Sequence, residues 1–422
     1  MLKNDSIVLF GDNITGNLIA FDKSDSIYIN YSENDIKRFL KSENIKNKIS
    51  LNSQNSEFNY ILVNVTNDCN LNCKYCYVQK KKEYMSLDII IKTIRYAYCK
   101  KTGKKKLFVV FHGGEPLLMM DRILEAIDSL VDINSEINYM IQTNGVILNK
   151  KNIEKLISRN VFISISIDGF TTKNNENRFT NKEVLLNDIW SYMATYTNRI
   201  GAILVINEQN IENIVDIAMK LIDIKVNSFS FNLIYHIDGN NQSHLCQEKL
   251  IEETKKLIDI LWEKNVKEGL LPFEKYKERN IYLLYRRLLY KDYSYMCMNT
   301  PCGAGKNIIS VEPNGDIYPC NIVSSMNNIE FRMGNIMDGR IINKVGFSRN
   351  LDMIENCSEC ELKNACGGGG CNGFLYLYMR NQNQMSYYCK YYKEISLYLI
   401  KKSLKYSGKS FLTNFMWEEG KK

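Results

Sequence analysis

The sequence predicts an α/β fold in three parts: a small β-rich N-terminal element, a partial barrel of six β-α units, and a cysteine-dense C-terminal region. Two observations carry that prediction. Short β-rich runs alternate with longer segments of helical period between residues 60 and 237, and most of the 13 cysteines gather in tight groups on either side of a helical stretch. A chain of 422 residues, 45% hydrophobic and 24% charged, has ordinary globular composition and enough apolar material for more than one core.

Residues 1–58 make the first element. "SIVLF" and "LIAFD" flank the turn-rich "GDNITGN", and "SIYINY" leads to Ser32, an N-cap with Asp35 three residues on, before "IKRFLK". This reads as two or three strands and a short helix. The N-terminus has no apolar run behind a basic start, and no stretch approaches ~20 uninterrupted apolar residues, so a cytoplasmic chain with no membrane partner is expected.

Residues 59–240 supply the barrel. Its strands are "YILVNVT", "KLFVVFHG", "INYMIQTNG", "VFISISIDG", "IGAILVINE" and "FSFNLIYHID". Between them lie helical segments such as "SLDIIIKTIRYAYCKK" and "QNIENIVDIAMKLIDI", the latter with Ile211, Ile214, Val215, Ala218 and Leu221 on one face. Strands alternating with helices specify a parallel sheet covered by helices, and six units suit a partial (β/α)6 TIM-like barrel better than a closed one of eight. Unusual residues collect at the strand C-terminal ends, where such folds carry their sites: residues 67–76, "HGGEP", "QTNG", "SIDG", "NEQN" and "HIDG".

Residues 241–296 read as a helical linker, 297–395 as the cysteine-dense region and 396–422 as a C-terminal tail, with no internal repeat. The net charge of +8 is scattered in short runs such as "KKK" at 80–82 and 104–106. That is the pattern of a solvated face. No long basic tract or basic-aromatic alternation points to nucleic acid.

Clustered cysteines in a reducing compartment point to metal or redox chemistry instead of disulfides. "VTNDCNLNCKYCYVQ" places Cys69, Cys73 and Cys76 in a C-x3-C-x2-C loop after the first barrel strand. A structural zinc site or a ferredoxin-type cluster takes four protein ligands. Three thiolates leave one iron of a cubane open to bind substrate or cofactor.

This loop resembles the defining motif of the radical SAM superfamily. Tyr75 stands where that family has an aromatic residue against the adenine, and Gly113, Gly114, Glu115 and Pro116 match the segment that meets the methionine amino group. Ser166 matches the carboxylate-binding serine, and Arg178 fits an arginine of the same role, although Asn174 and Asn175 depart from the His-Asp pair often seen before it. The resemblance implies S-adenosyl-L-methionine (SAM) on a 4Fe-4S cluster held by Cys69, Cys73 and Cys76. It also implies a flavodoxin- or ferredoxin-type electron donor and a 5'-deoxyadenosyl radical that removes a substrate hydrogen.

The later cysteines follow C-x4-C-x12-G-x4-C through Cys297, Cys302, Gly315 and Cys320, then C-x2-C-x5-C-x4-C-x17-C through Cys357, Cys360, Cys366, Cys371 and Cys389. This spacing resembles the SPASM domain, which carries two auxiliary 4Fe-4S clusters. The resemblance implies Cys297, Cys302, Cys320 and Cys371 for the first and Cys357, Cys360, Cys366 and Cys389 for the second, making three clusters in all. "CGGGGC" has one residue more than the family usually has there, an insertion that glycines absorb with little strain. Cys99 and Cys246 remain as expected core thiols.

Known substrates of this architecture are mainly peptides and proteins. The expected reaction is an oxidative thioether or carbon-carbon crosslink in a ribosomally made peptide bearing a leader segment, with residues 1–58 as a leader-recognition element or a cap on the barrel. Anaerobic sulfatase maturation is the alternative, ranked lower because Asn321 stands where those enzymes have an aspartate base. An RNA-modifying radical enzyme ranks below both, since no RNA-binding module is recognisable. His236 and Asp238, at the end of the sixth strand, are candidate proton acceptors near substrate or part of a solvent-facing turn.

Overall fold

The computed structural model describes the strands within residues 3–31 and residues 58–101, 106–179, 183–235, 245–290, 297, 302–325, 329–341, 351–360, 362–379 and 386–406. At the N-terminus β1 (Lys3–Asn4), β2 (Ile7–Gly11), β3 (Leu18–Asp22) and β4 (Ile27–Tyr31) form an antiparallel sheet in sequence order, with β4 as its longer edge strand. The helix expected after Ser32 and Asp35 lies outside the described residues, as do His236 and Asp238.

Six parallel strands follow in consecutive order: β5 (Tyr60–Thr66), β6 (Leu107–Gly113), β7 (Ile137–Thr143), β8 (Val161–Ser166), β9 (Ile200–Ile206) and β10 (Ser228–Leu233). Because side chains alternate along a strand, each contributes one row to the helix layer and one to the barrel interior. Ile61 and Val63, Val109 and Phe111, and Ile163 and Ile165 are buried in the main core. Their alternates Leu62, His112, Gln142, Ser164, Ser166 and Asn232 line an interior cavity. The lumen is therefore open, with polar side chains set into a mainly apolar lining. The sheet does not close: β11 (Lys277–Glu278) borders β10 at one edge, and β12 (Ile308–Val311) borders β5 at the other.

Helices α1 (Leu87–Lys100), α2 (Met120–Asp128), α3 (Lys150–Ser158), α4 (Glu183–Thr195) and α5 (Ile214–Asp223) each follow a barrel strand. Ser86 caps α1 by accepting from the Ile89 amide, as a serine N-cap should. The next pair, α6 (Gln247–Lys267) and α7 (Arg279–Tyr290), are built into the main core: Leu250, Leu257, Leu261 and Trp262 of α6 are buried there, each large apolar side chain contributing about 2 kcal/mol. Glu278 joins α7 to the sheet by accepting from the amides of Phe231, Asn280 and Ile281.

The cysteine-dense region continues the barrel sheet. β12 pairs in parallel with β5, Ile308 opposite Tyr60 through Val311 opposite Val63, and β13 (Asp316–Tyr318), β14 (Gly334–Asn335) and β15 (Arg340–Ile341) extend it antiparallel. A buried polar cluster reinforces the joint, with the Asn64 amide donating to Glu312, Ser310 and Ser324. Short helices α8 (Asn321–Ser324), α9 (Glu355–Ser358), α10 (Lys363–Cys366) and α11 (Asn372–Met379) precede α12 (Cys389–Tyr406), which packs along α6.

Cys99 and Cys246 are exposed, contrary to the expectation that they are core thiols. The buried face of α1 carries Ile90, Thr93, Ile94 and Ala97, and Cys99, two residues past Ala97, points away from it. Cys246 sits at the N-terminus of α6, where its thiol donates to Glu248. No helix among the described residues is long and apolar enough to cross a membrane.

Candidate functional site

The loop after β5 is held at its root by the end of β6. The Gly114 and Glu115 amides donate to the carbonyls of Thr66 and Asp68 at 2.7 and 2.8 Å. A Cβ on Gly113 would stand 2.2 Å from the Thr66 oxygen, and one on Gly114 2.1 Å from the Asp68 oxygen, so both glycines are dictated by this approach. Gly113 also has φ of +121°, which side chains rarely adopt. Farther out, Lys80 reaches back to the Leu71 carbonyl and the Asn72 side chain, and the Asn144 amide from the end of β7 contacts Asn70 and the Cys69 sulfur.

Cys69, Cys73 and Cys76 open onto the interior cavity, whose volume is about 700 Å³. Cys297, Cys302, Cys320 and Cys371 line the same cavity from the other side. The latter four are brought together from separate segments, since Cys371 lies within electrostatic reach of Cys297, Cys302 and Cys320. Cys366 is similarly close to Cys357, Cys360 and Cys389, behind the cavity wall. Burial pushes the Cys302, Cys320 and Cys366 thiols up to about 12, so binding iron there would release protons.

Among the described residues, no three His, Cys, Asp or Glu side chains form a group that grips a single ion. Thiolates on a four-iron cube bind separate irons and need only face a common space. The donor sets of three, four and four thiols, with part of the cavity volume between the first two, fit such clusters. The cavity size also fits a nucleoside-sized ligand.

Tyr75, Gly113, Gly114, Ser166 and Arg178 line this cavity. Glu115 does not. Its carboxylate is 1% exposed and accepts from the Leu117 amide, the Thr143 hydroxyl and the Asn144 amide, which orders the end of β7 beside the thiol loop. Burial raises this carboxyl to about 6 despite those three donors. About four acceptor positions exist on a carboxylate, so one remains.

Sequence reasoning missed the centre of the network behind Tyr75. Asp168 is fully buried, accepts from the Tyr75 hydroxyl and the Val205 amide, and forms an off-axis 3.0 Å ion contact with Arg178 Nε. The Arg178 guanidinium lies 5.4 Å from the centre of the Tyr75 ring. Asn174 and Asn175 bend the intervening chain: Asn175 accepts from the Asp168 amide and donates to the Gly169 and Thr171 carbonyls, while Asn174 donates to the Gln209 carbonyl and Asn213. The "SIDG" turn was the available signal, because an aspartate at a barrel strand end is a candidate site residue.

Asn321, one residue past Cys320, donates its side-chain amide to the Tyr77 hydroxyl. Both residues line the large cavity and an adjoining niche of about 20 Å³. His112 lines both spaces as well.

Comparison with known proteins gives a consistent picture. Residues 63–245 match the Radical SAM superfamily. The radical SAM cyclopropyl synthase TigE of Paramaledivibacter caminithermalis is 25% identical over 377 residues, covering 82% of this chain and 74% of that protein. The solved structure of native anSMEcpe with bound AdoMet and Cp18Cys peptide has a TM-score of 0.67 at 19% identity, covering 83% of this chain and 98% of the other. Streptococcus suis SuiB bound to precursor peptide SuiA gives 0.57 at 15% identity, covering 92% and 99%.

Proposed function

Because the chain carries a radical SAM domain and is related to peptide and sulfatase maturases, we propose that it is a peptide maturase, installing an oxidative thioether or carbon-carbon crosslink in a ribosomally made peptide. The radical SAM family uses SAM and a 4Fe-4S cluster. Here the cluster would be held by Cys69, Cys73 and Cys76, and two auxiliary clusters by the sets around Cys371 and Cys366. When bound, the cofactor pair supplies a 5'-deoxyadenosyl radical that takes a hydrogen atom from substrate.

One observation carries this reading: the three loop thiols and the four thiols of the first later set open on a single cavity. A substrate residue entering it meets the hydrogen-abstracting site and a one-electron acceptor together, which is what a net oxidation needs. This chain's residues supply the surroundings. Tyr75, fixed by Asp168, offers a flat apolar face, Arg178 and Ser166 offer donors to a carboxylate, and Glu115, outside the cavity, fixes Asn144 in its wall. Ser166 ends β8, and the loops that carry Tyr75 and Arg178 are tied to one another through Asp168.

Sulfatase-type maturation ranks lower because Asn321 uses its amide as a donor to Tyr77, and an amide takes no proton at neutral pH. For the leader, β4 offers a five-residue edge on the N-terminal sheet, and strand addition to such an edge supplies affinity through backbone hydrogen bonds. The test is co-expression with a short peptide encoded beside the gene, read by mass spectrometry. Loss of two hydrogens per crosslink is expected, and a chain beginning at Asn59 should keep 5'-deoxyadenosine formation yet modify the peptide poorly. Formylglycine on a sulfatase-type peptide, detected by hydrazide labelling, would overturn the assignment in favour of the alternative.

A further inference from the structure

Building on the peptide-maturase reading, we propose that His112 is the proton acceptor for substrate oxidation. The cavity imposes the choice. Apart from the seven thiols, its titratable lining among the described residues consists of tyrosines, arginines and His112, with no Asp, Glu or Lys. Arginines remain protonated, and phenols keep their protons at neutral pH. His112 is the one described lining group, besides thiols assigned to iron, that can accept a proton at neutral pH.

The placement of His112 fits that task. It lies on β6 at the inward-facing position just before Gly113, at 8% exposure. No hydrogen bond engages its ring among the described residues, and Nδ1 is fully buried without a partner. A purely structural histidine in a core ordinarily has a partner, because an unsatisfied buried nitrogen opposes folding. Burial alone pushes the imidazole down to about 4, so the ring is neutral before reaction and surrenders a captured proton readily. The niche beside it is bounded by Tyr77, Asn321 and Glu312. Glu312 is the one carboxylate there, but it does not reach the large cavity, and its two oxygens accept from Asn64 and Asn67.

The balance is simple. Hydrogen abstraction leaves a carbon-centred radical on the peptide. When a peptide thiol adds to it, the S–H bond breaks and the C–S bond forms. The proton passes to His112, and an auxiliary iron-sulfur cluster held by Cys297, Cys302, Cys320 and Cys371 would supply the one-electron acceptor. With a carbon nucleophile, the C–H bond takes the place of the S–H bond.

The experiment compares wild type, His112→Gln, the double variant His112→Gln/Asn321→Asp, Glu312→Gln and Asp238→Asn, all reconstituted alike. The probe is the peptide encoded beside the gene, synthesised with deuterium at its side-chain β-carbons, together with SAM and dithionite. His112→Gln should transfer deuterium into 5'-deoxyadenosine as wild type does, while crosslinked peptide falls about 10²-fold, the usual size of a lost general base. Asn321→Asp should recover part of that loss by restoring an acceptor at the same niche, and Glu312→Gln should match wild type. Unchanged product from His112→Gln overturns the proposal, as does a comparable loss carried by Asp238→Asn. Lost deuterium transfer in His112→Gln also overturns it, by tracing the defect to SAM cleavage. A wild-type enzyme that leaves the peptide unmodified removes the maturase reading and this inference with it.

Discussion

The two sets of four thiols sit in unlike surroundings. Cys302 and Cys320 belong to a small apolar cluster with Ala304, Tyr318, Val323 and Phe331, on a hairpin that extends the barrel sheet, and their set faces the cavity. Cys360 and Cys366 pack into the main core, under the helices that carry Arg287 and Cys389, and their set does not reach the cavity. Arg287 is 2% exposed and its charge favours the Cys366 thiolate. A buried cation beside several thiolates offsets charge that the core would otherwise exclude. The contrast separates two tasks on the proposed reading: a cluster in the first place can meet substrate, whereas one in the second can exchange only electrons.

Cysteine substitutions test that division most strongly. Replacing Cys69, Cys73 and Cys76 together by Ala should abolish 5'-deoxyadenosine formation and lower iron from about twelve to about eight per chain. Cys320→Ala and Cys360→Ala should each lose about four irons and retain SAM cleavage. They should then differ: Cys320→Ala weakens peptide binding about tenfold, roughly 1.4 kcal/mol, whereas Cys360→Ala leaves affinity intact and lowers the melting temperature more. Iron analysis, calorimetry and thermal melting measure these outcomes. Equal effects on affinity would erase the distinction between the two places.

The contrast also marks what a sequence can reveal. The six barrel strands were legible because strand and helix periods differ, and the end of the first, Tyr60 to Thr66, coincides with its run "YILVNVT". The partition of the later thiols came from a family resemblance, and spacing alone would not have separated Cys371 from its sequence neighbours Cys366 and Cys389. The pairing of β5 with β12 joins residues almost 250 apart, and no local period encodes it. Asp168 and His112 were obscure for a related reason: their roles depend on which side chains other strands bring to them. Cys99 was misread because helical phase, more than residue type, decides burial.

A smaller effect is expected behind the cavity wall at Asp168. Asp168→Asn removes the counter-charge of Arg178 and the ionised acceptor of Tyr75, and breaking one member of a buried pair typically costs about 3–5 kcal/mol of stability. SAM affinity, measured by equilibrium dialysis on folded, reconstituted protein, should fall about 10- to 100-fold, a difference of roughly 1.4–2.8 kcal/mol. Tyr75→Phe keeps the ring and should cost less. Unchanged SAM affinity in Asp168→Asn would confine the network to a structural role.

Two buried glutamates stand on opposite sides of the same division, and their effect is confined to its pH dependence. Glu115 stands beside the thiol loop, and Glu278 ties β10 to α7, away from it. Burial raises the first from 4.5 to about 6 and the second from 4.5 to about 7, in spite of amide donors to both. A raised carboxyl means that the folded chain binds its proton more tightly than the unfolded one. The stabilising contribution is therefore complete below about pH 4.5 and is lost as pH rises through 6 for Glu115 and through 7 for Glu278. At 1.36 kcal/mol per unit, the Glu278 contribution is roughly 3 kcal/mol and that of Glu115 roughly 2. Relative to wild type, Glu278→Gln should melt higher at pH 7.5 than at pH 5, by a few degrees, with or without SAM. Glu115→Gln should show a difference of the same sign and smaller size, also with or without SAM. A SAM-dependent shift in the Glu278→Gln difference would mean that the two sides of the wall are coupled.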